Sequence, residues 1–239
     1  MATIGATAAR PALWGVRGWP WILLLLVVAV VGFWKPYFSR LDAAQALAHL
    51  HVITMLVWMG MLGAQPLLIR SRRFLWHRRL GRASYVVVPL VVVSAFALAQ
   101  LRISQAPAEA LGLQQQILFI GLATAMLFAV IWGLAIRHRH EPALHARYMA
   151  GTALTLIDPS LVRVMIFWVP SIPPPLYQWI TFGIVYAILL VLMALDRRSS
   201  RGRSAFPVLL VLFAVLHALN LVVPGTQGWQ AFARWFAAL

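Results

Sequence analysis

The sequence contains no cysteine, so disulfides, thiolate metal sites and thiol nucleophiles are excluded at once. Acidic residues are scarce as well, with 5 Asp and Glu in 239 residues against 20 Lys and Arg. Charged residues make up only 10% of the chain, whereas soluble domains carry about 25%. Hydrophobic residues reach 62% and the mean hydropathy is +0.85. A water-soluble globule is excluded, and the chain reads as an integral membrane protein. Walker, Rossmann and HExxH motifs are absent, as is the Ser, Asp and clustered-His pattern of seven-span zinc hydrolases.

A bilayer crossing of ~30 Å needs about 20 mostly apolar residues in a helix. Seven runs qualify, some only with their aromatic flanks: Trp19–Trp34, Leu47–Ile69, Ala83–Leu101, Ile117–Ile136, Met149–Trp168, Tyr177–Leu195 and Phe206–Val223. The expected fold is therefore an all-α, seven-helix membrane bundle forming a single domain over residues 1–239. Arginines before the first run and no small-residue cleavage site after it point to an uncleaved N-terminal anchor.

The formal charge of +15 would suggest nucleic acid in a soluble protein. Here it maps onto the loops. With the N-terminus inside, 15 of the 20 basic residues fall on inner segments and 4 on outer ones, Lys35, Arg40, Arg102 and Arg234. Arg163 lies within a span. That asymmetry predicts N-in, C-out in a bacterial cytoplasmic membrane, and no nucleic-acid partner. Residues 224–239 read as an amphipathic segment on the outer surface.

Two inner loops resemble each other. FLWHRRLGRASY and PALHARYMAGTA align on His77 and His145, with Arg79 matching Arg147. Spans two-three and four-five thus look like two copies of one hairpin. Histidine and arginine at i, i+2 near a helix start suit phosphate or carboxylate groups, so an inner anionic site, or simple contact with lipid headgroups, is expected.

His51 through about Val164 resembles a broad family of uncharacterised bacterial multi-spanning membrane proteins. The shared pattern is a histidine opening a span that ends in glutamine (His51, Gln65), then HRRLGR at 77–82, then HARYM at 145–149 leading to Arg163. The HxR segment is more distantly similar to small membrane proteins that help mature cytochrome oxidase. The resemblance implies shared topology and shared sites.

The polar residues within spans form a second group. Asp158 and Arg163 differ by about 140° in azimuth and ~7.5 Å in height, so each needs a partner elsewhere. Pro159 removes a backbone bond and frees the carbonyl of Thr155. Arg163, His51 and His217 all come to roughly 6–9 Å below the outer boundary, with Asn220 one turn above His217. His51, Met55, Trp58, Leu62 and Gln65 share one helix face.

Three readings follow. In the first, His51 and His217 ligate haem b while Arg163 neutralises a propionate, in a redox role tied to respiratory electron transfer or oxidase maturation. A copper site from His51, Met55 and His217 is a variant of it. The second is a proton, ion or small-solute path through Asp158. The third is an assembly or scaffold subunit, associated with a respiratory complex or with copies of itself. In each, Asp158, Asn220 and Gln65 are further polar pocket residues.

Overall fold

A backbone in lipid must satisfy its own hydrogen bonds, and every apolar run in the described residues does so as helix. The computed structural model describes residues 18–197, 199 and 201–239. The basic segment expected on the inner side before the first run, with Arg10 and Arg17, lies outside them. Nine α-helices and no strand are found among the described residues: α1 Trp19–Trp34, α2 Ala46–Arg70, α3 Phe74–Ser104, α4 Leu111–Arg137, α5 Pro142–Leu154, α6 Ile157–Trp168, α7 Tyr177–Asp196, α8 Ala205–Val222 and α9 Gln227–Ala237.

Six helical segments are long and apolar enough to cross a membrane, α5 and α6 together making one of them. α1 is apolar but shorter, at 16 residues. The burial pattern is that of a protein solvated by lipid. Val86, Val93, Val191, Val211 and Val215 are exposed, while Thr152, Thr155, Ser160, Thr181, His217 and Asn220 are buried. Water would reverse that arrangement.

α2, α3 and α4 pack in sequence, and α5 lies between α4 and α8 with a lesser contact to α2. α6 leaves that centre and packs against α1 and α7. The change of course follows from Pro159. Without its N–H the Thr155 carbonyl loses its helical donor, and the helix breaks between Leu154 and Ile157. The Leu156 N–H turns back to the Ala153 carbonyl (3.1 Å), and the Ser160 hydroxyl donates to the Leu156 carbonyl (2.7 Å).

Gly32 lets α1 approach α6. A Cβ there would sit 2.5 Å from the Ser160 carbonyl oxygen. The same two helices are joined at their C-terminal ends, where Lys35 donates to the Phe167 carbonyl (2.7 Å) and the Trp168 indole to the Val31 carbonyl (2.9 Å). α9 is capped by Thr226 and folds back across α3 and α4, its Trp229 indole donating to the Gln115 carbonyl (3.0 Å).

The HRRLGR segment is helix rather than loop, because α3 begins at Phe74. Only Ser71–Arg73 remain between α2 and α3, and Arg72 makes the tight turn with φ 58°.

Candidate functional site

The polar groups gather at two levels, one near the arginine-rich end of the bundle and one toward the opposite end. Toward the opposite end, α2 presents His51 to α3. Its Nδ1 lies 3.0 Å from Ser94 Oγ, and the Ser94 hydroxyl donates to the Val91 carbonyl (3.1 Å). With the Ser94 hydrogen on that carbonyl, His51 Nδ1 is the donor and Nε2 of the neutral ring keeps its lone pair; with it on Nδ1, the two ring nitrogens exchange roles.

Arg163 projects from α6 beside it. One guanidinium N–H goes to the Pro159 carbonyl (2.7 Å), and the group lies 4.3 Å from the centroid of Phe33. Of five donors, one is used by a hydrogen bond among the described residues. His51 lies within the electrostatic reach of both Arg163 and Arg102, and Arg163 within that of Arg102 and Asp158. Arg102, on the last turn of α3, is solvent-accessible and has no hydrogen-bond acceptor among the described residues.

Among the described residues Asp158 is the one carboxylate that acts electrostatically on Arg163. It is held by the Thr181 hydroxyl and by the Gln178 side chain, both from α7. The arrangement thus sets two guanidinium groups against one carboxylate that already has two donors. Two like charges in a low-dielectric setting repel, and a buried cation without a counter-charge is costly. The cluster is short of negative charge.

His217 occupies a different setting. Its ring stacks on Phe182 (3.5 Å between centroids, 8° between planes), and Nδ1 pairs with the Tyr186 hydroxyl at 2.8 Å. Both partners belong to α7. No hydrogen bond, ring contact or electrostatic coupling joins His51 to His217 among the described residues. Met55 packs with the core around Trp58 on α2, whereas α8 belongs to a second core with α4, α5 and α7. Met55 thus packs in one core and the helix that carries His217 in the other. Asn220 is buried with its Oδ1 unpartnered among the described residues, as is the Gln178 Oε1. His49, two residues from His51, turns instead to the Tyr37 hydroxyl (2.7 Å).

At the arginine-rich end the two HxR motifs are linked by charge alone among the described residues: His77 lies within the electrostatic reach of His145. Their arginines diverge. Arg79 is exposed over the Trp76 ring (5.2 Å), and Arg147 is buried in a two-pronged ion pair with Asp196 (2.8 and 2.5 Å). An anion held jointly by both arginines does not fit that geometry. Gln65 is placed here, its amide donating to the His77 carbonyl (3.3 Å), and not with Asp158 and Asn220.

Sequence reasoning missed Arg102, Ser94, Gln178, Thr181 and Phe33. In sequence Arg102 reads as a loop cation, though it lies in the helical last turn of α3. Ser94, Thr181 and Phe33 look like ordinary membrane-helix residues in sequence, and only packing gives them a role. Comparisons with protein-family models, with curated proteins and with solved structures find no match.

Proposed function

We propose that the protein binds a small anionic ligand at a site in the outer half of the membrane, built by His51, Arg163 and Arg102 over Asp158. The chain crosses the bacterial cytoplasmic membrane seven times, N-in and C-out, with α1 as the first crossing. The 15-to-4 distribution of basic residues supports that orientation. At about 24 Å α1 is short for a 30 Å core, which the tryptophans at both ends and local thinning accommodate.

One observation carries the functional reading: two arginines share a cluster with one carboxylate, and most of their donors face no acceptor among the described residues. A carboxylate or phosphate group entering from outside restores the charge balance and takes paired N–H bonds from the guanidinium groups. Arg102, being accessible, meets the ligand first.

Haem b is a special case of such a ligand, carrying two propionates. The observation favouring it is the His51 Nδ1 contact with Ser94 Oγ (3.0 Å), since the tautomer that donates there leaves Nε2 free to ligate one axial position. His51 would then hold the iron and the two arginines the propionates.

The test is a screen of the purified protein for thermal stabilisation by phosphate, citrate and haem, with a visible spectrum taken before any addition. A ligand at ~100 times its Kd stabilises by about 2.7 kcal/mol. Stabilisation by an anion that vanishes in Arg163→Gln supports the proposal; no response to any of the three, or a response unchanged in Arg163→Gln and Arg102→Gln, contradicts it. A Soret band lost in His51→Asn selects the haem reading.

A further inference from the structure

The carboxylates of the chain are Asp42, Glu109, Glu141, Asp158 and Asp196. Of these, Glu141 and Asp196 lie at the arginine-rich end, and both are engaged, Glu141 with His138 (2.8 Å) and Asp196 with Arg147. The turn between α2 and α3 is left with its cations unbalanced. Arg70, in the last turn of α2, and Arg73, just before α3, make no ion pair and no side-chain hydrogen bond among the described residues.

Those two arginines line a cleft. α1 and α2 approach each other where a Cβ built on Gly63 would lie 3.7 Å from Ile22 Cγ2. Toward the arginine-rich end, a cleft of about 670 Å³ lies between Trp19 at the start of α1 and the last turns of α2. Ala64, Leu67 and Leu68 give it apolar walls beside Trp19, and Arg70 and Arg73 supply its charge. Arg70 stands roughly 9 Å farther along the helix axis than Ala64, so the lining grades from apolar to basic toward the membrane boundary. Ser71 also lines the cleft, but its hydroxyl donates to the Leu67 and Leu68 carbonyls (2.9 and 3.2 Å). The guanidinium groups are therefore the side-chain donors left for a ligand.

The lining defines the occupant. The segment before α1 carries Arg10 and Arg17 and no carboxylate, so it supplies no counter-charge. A free phosphate answers the arginines but leaves the apolar walls uncovered. A phospholipid answers both, with its phosphate taking paired N–H bonds from guanidinium and its chain running along the helices. A zwitterionic headgroup would bring an ammonium to a cleft lined by no carboxylate, so the lipid is a net anion. A second cleft at this end, about 550 Å³ between the start of α5 and the turn before α8, sets Glu141 beside Arg201 and lacks that excess of positive charge.

We propose that the cleft between α1 and α2 binds one anionic phospholipid, its phosphate on Arg70 and Arg73 and the start of an acyl chain against Trp19 and Leu67. The site is independent of the anion site toward the opposite end.

The full chain in detergent is titrated with phosphatidylglycerol and, separately, with phosphatidylethanolamine of the same chains, and bound lipid is counted by native mass spectrometry. One phosphatidylglycerol should bind more tightly than any phosphatidylethanolamine. Arg70→Gln and Arg73→Gln should each weaken it about fivefold, the share of one basic residue at an anionic lipid surface, and together roughly 25-fold. Arg201→Gln should bind as the parent does, and glycerol phosphate at the lipid's concentration should not displace it. A photoactivatable phosphatidylglycerol in vesicles should label residues 64–73 of the parent, which tests the site without any variant. Equal binding of the two lipids, unchanged affinity in the double variant, or an equal loss in Arg201→Gln overturns the assignment. So does displacement by glycerol phosphate, which would mark a free-anion site, or labelling confined to other turns.

Discussion

Replacing Asp196 with asparagine removes a charge while keeping the shape of the side chain. Asp196 is the last residue of α7, and both of its carboxylate oxygens are occupied by Arg147, Nε at 2.8 Å and Nη2 at 2.5 Å. Nη1 donates to the Ala143 carbonyl (2.7 Å), and Nη2 also reaches Ser199 Oγ (3.0 Å). The two side chains are 5% and 3% exposed, so the guanidinium cannot recover hydration by turning outward. Breaking a buried pair from one side costs about 3–5 kcal/mol, because the other charge stays buried and uncompensated. A solvated pair would cost ~1 kcal/mol or less. Unfolding free energies from SDS titration in mixed micelles distinguish the two. Asp196→Asn should fall in the larger range, and Arg147→Met with Asp196→Leu should recover most of the loss. A change under ~1 kcal/mol for Asp196→Asn, or a double variant as poor as the sum of the singles, would refute the reasoning.

Gly202→Ala should destabilise by about 1–2 kcal/mol, the cost of holding an L side chain at positive φ. Gly202 has φ 76°, and an added Cβ would also lie 2.7 Å from Arg147 Nη1, so the same titration should show the loss. Gly32→Ala should force α1 away from α6, where the Cβ would stand 2.5 Å from the Ser160 carbonyl. Cross-linking between cysteines placed at Val31 and Trp168 should then weaken relative to the parent. Phe33→Leu should remove a ring contact with Arg163 worth up to about 2 kcal/mol when desolvated, seen as a lower unfolding free energy. Reporter fusions after Arg201 and after Leu239 should give opposite signals; matching signals would remove the inside–outside assignment.

The spans were legible because lipid imposes length and apolarity, and six of the seven expected runs coincide with helices long enough to cross. The break at Pro159 was legible for a local reason, the missing N–H. Helix starts were less so. Arginines at 78, 79 and 82 read as loop, yet an arginine-bearing turn is stable where headgroups solvate it, and α3 starts at Phe74. Depth along a helix could be counted, which put His51 and Arg163 on one level. Azimuth between helices could not be counted, and so neither could the partners: Ser94 of α3 for His51, Phe182 and Tyr186 of α7 for His217. Arg147 illustrates the same limit: its motif is shared with Arg79, but its partner, Asp196, lies 49 residues away.

The absence of cysteine makes one measurement decisive for the anion site. His51→Cys and Arg102→Cys, each the sole thiol in the chain, can be treated with a membrane-impermeant methanethiosulfonate in intact cells and in inverted vesicles. Both positions should be modified from the outer side only, and a stabilising anion should slow the reaction at residue 51. Modification from the inner side, or a residue 51 unreactive from both sides while residue 102 reacts, would contradict a basic site open to the outer face.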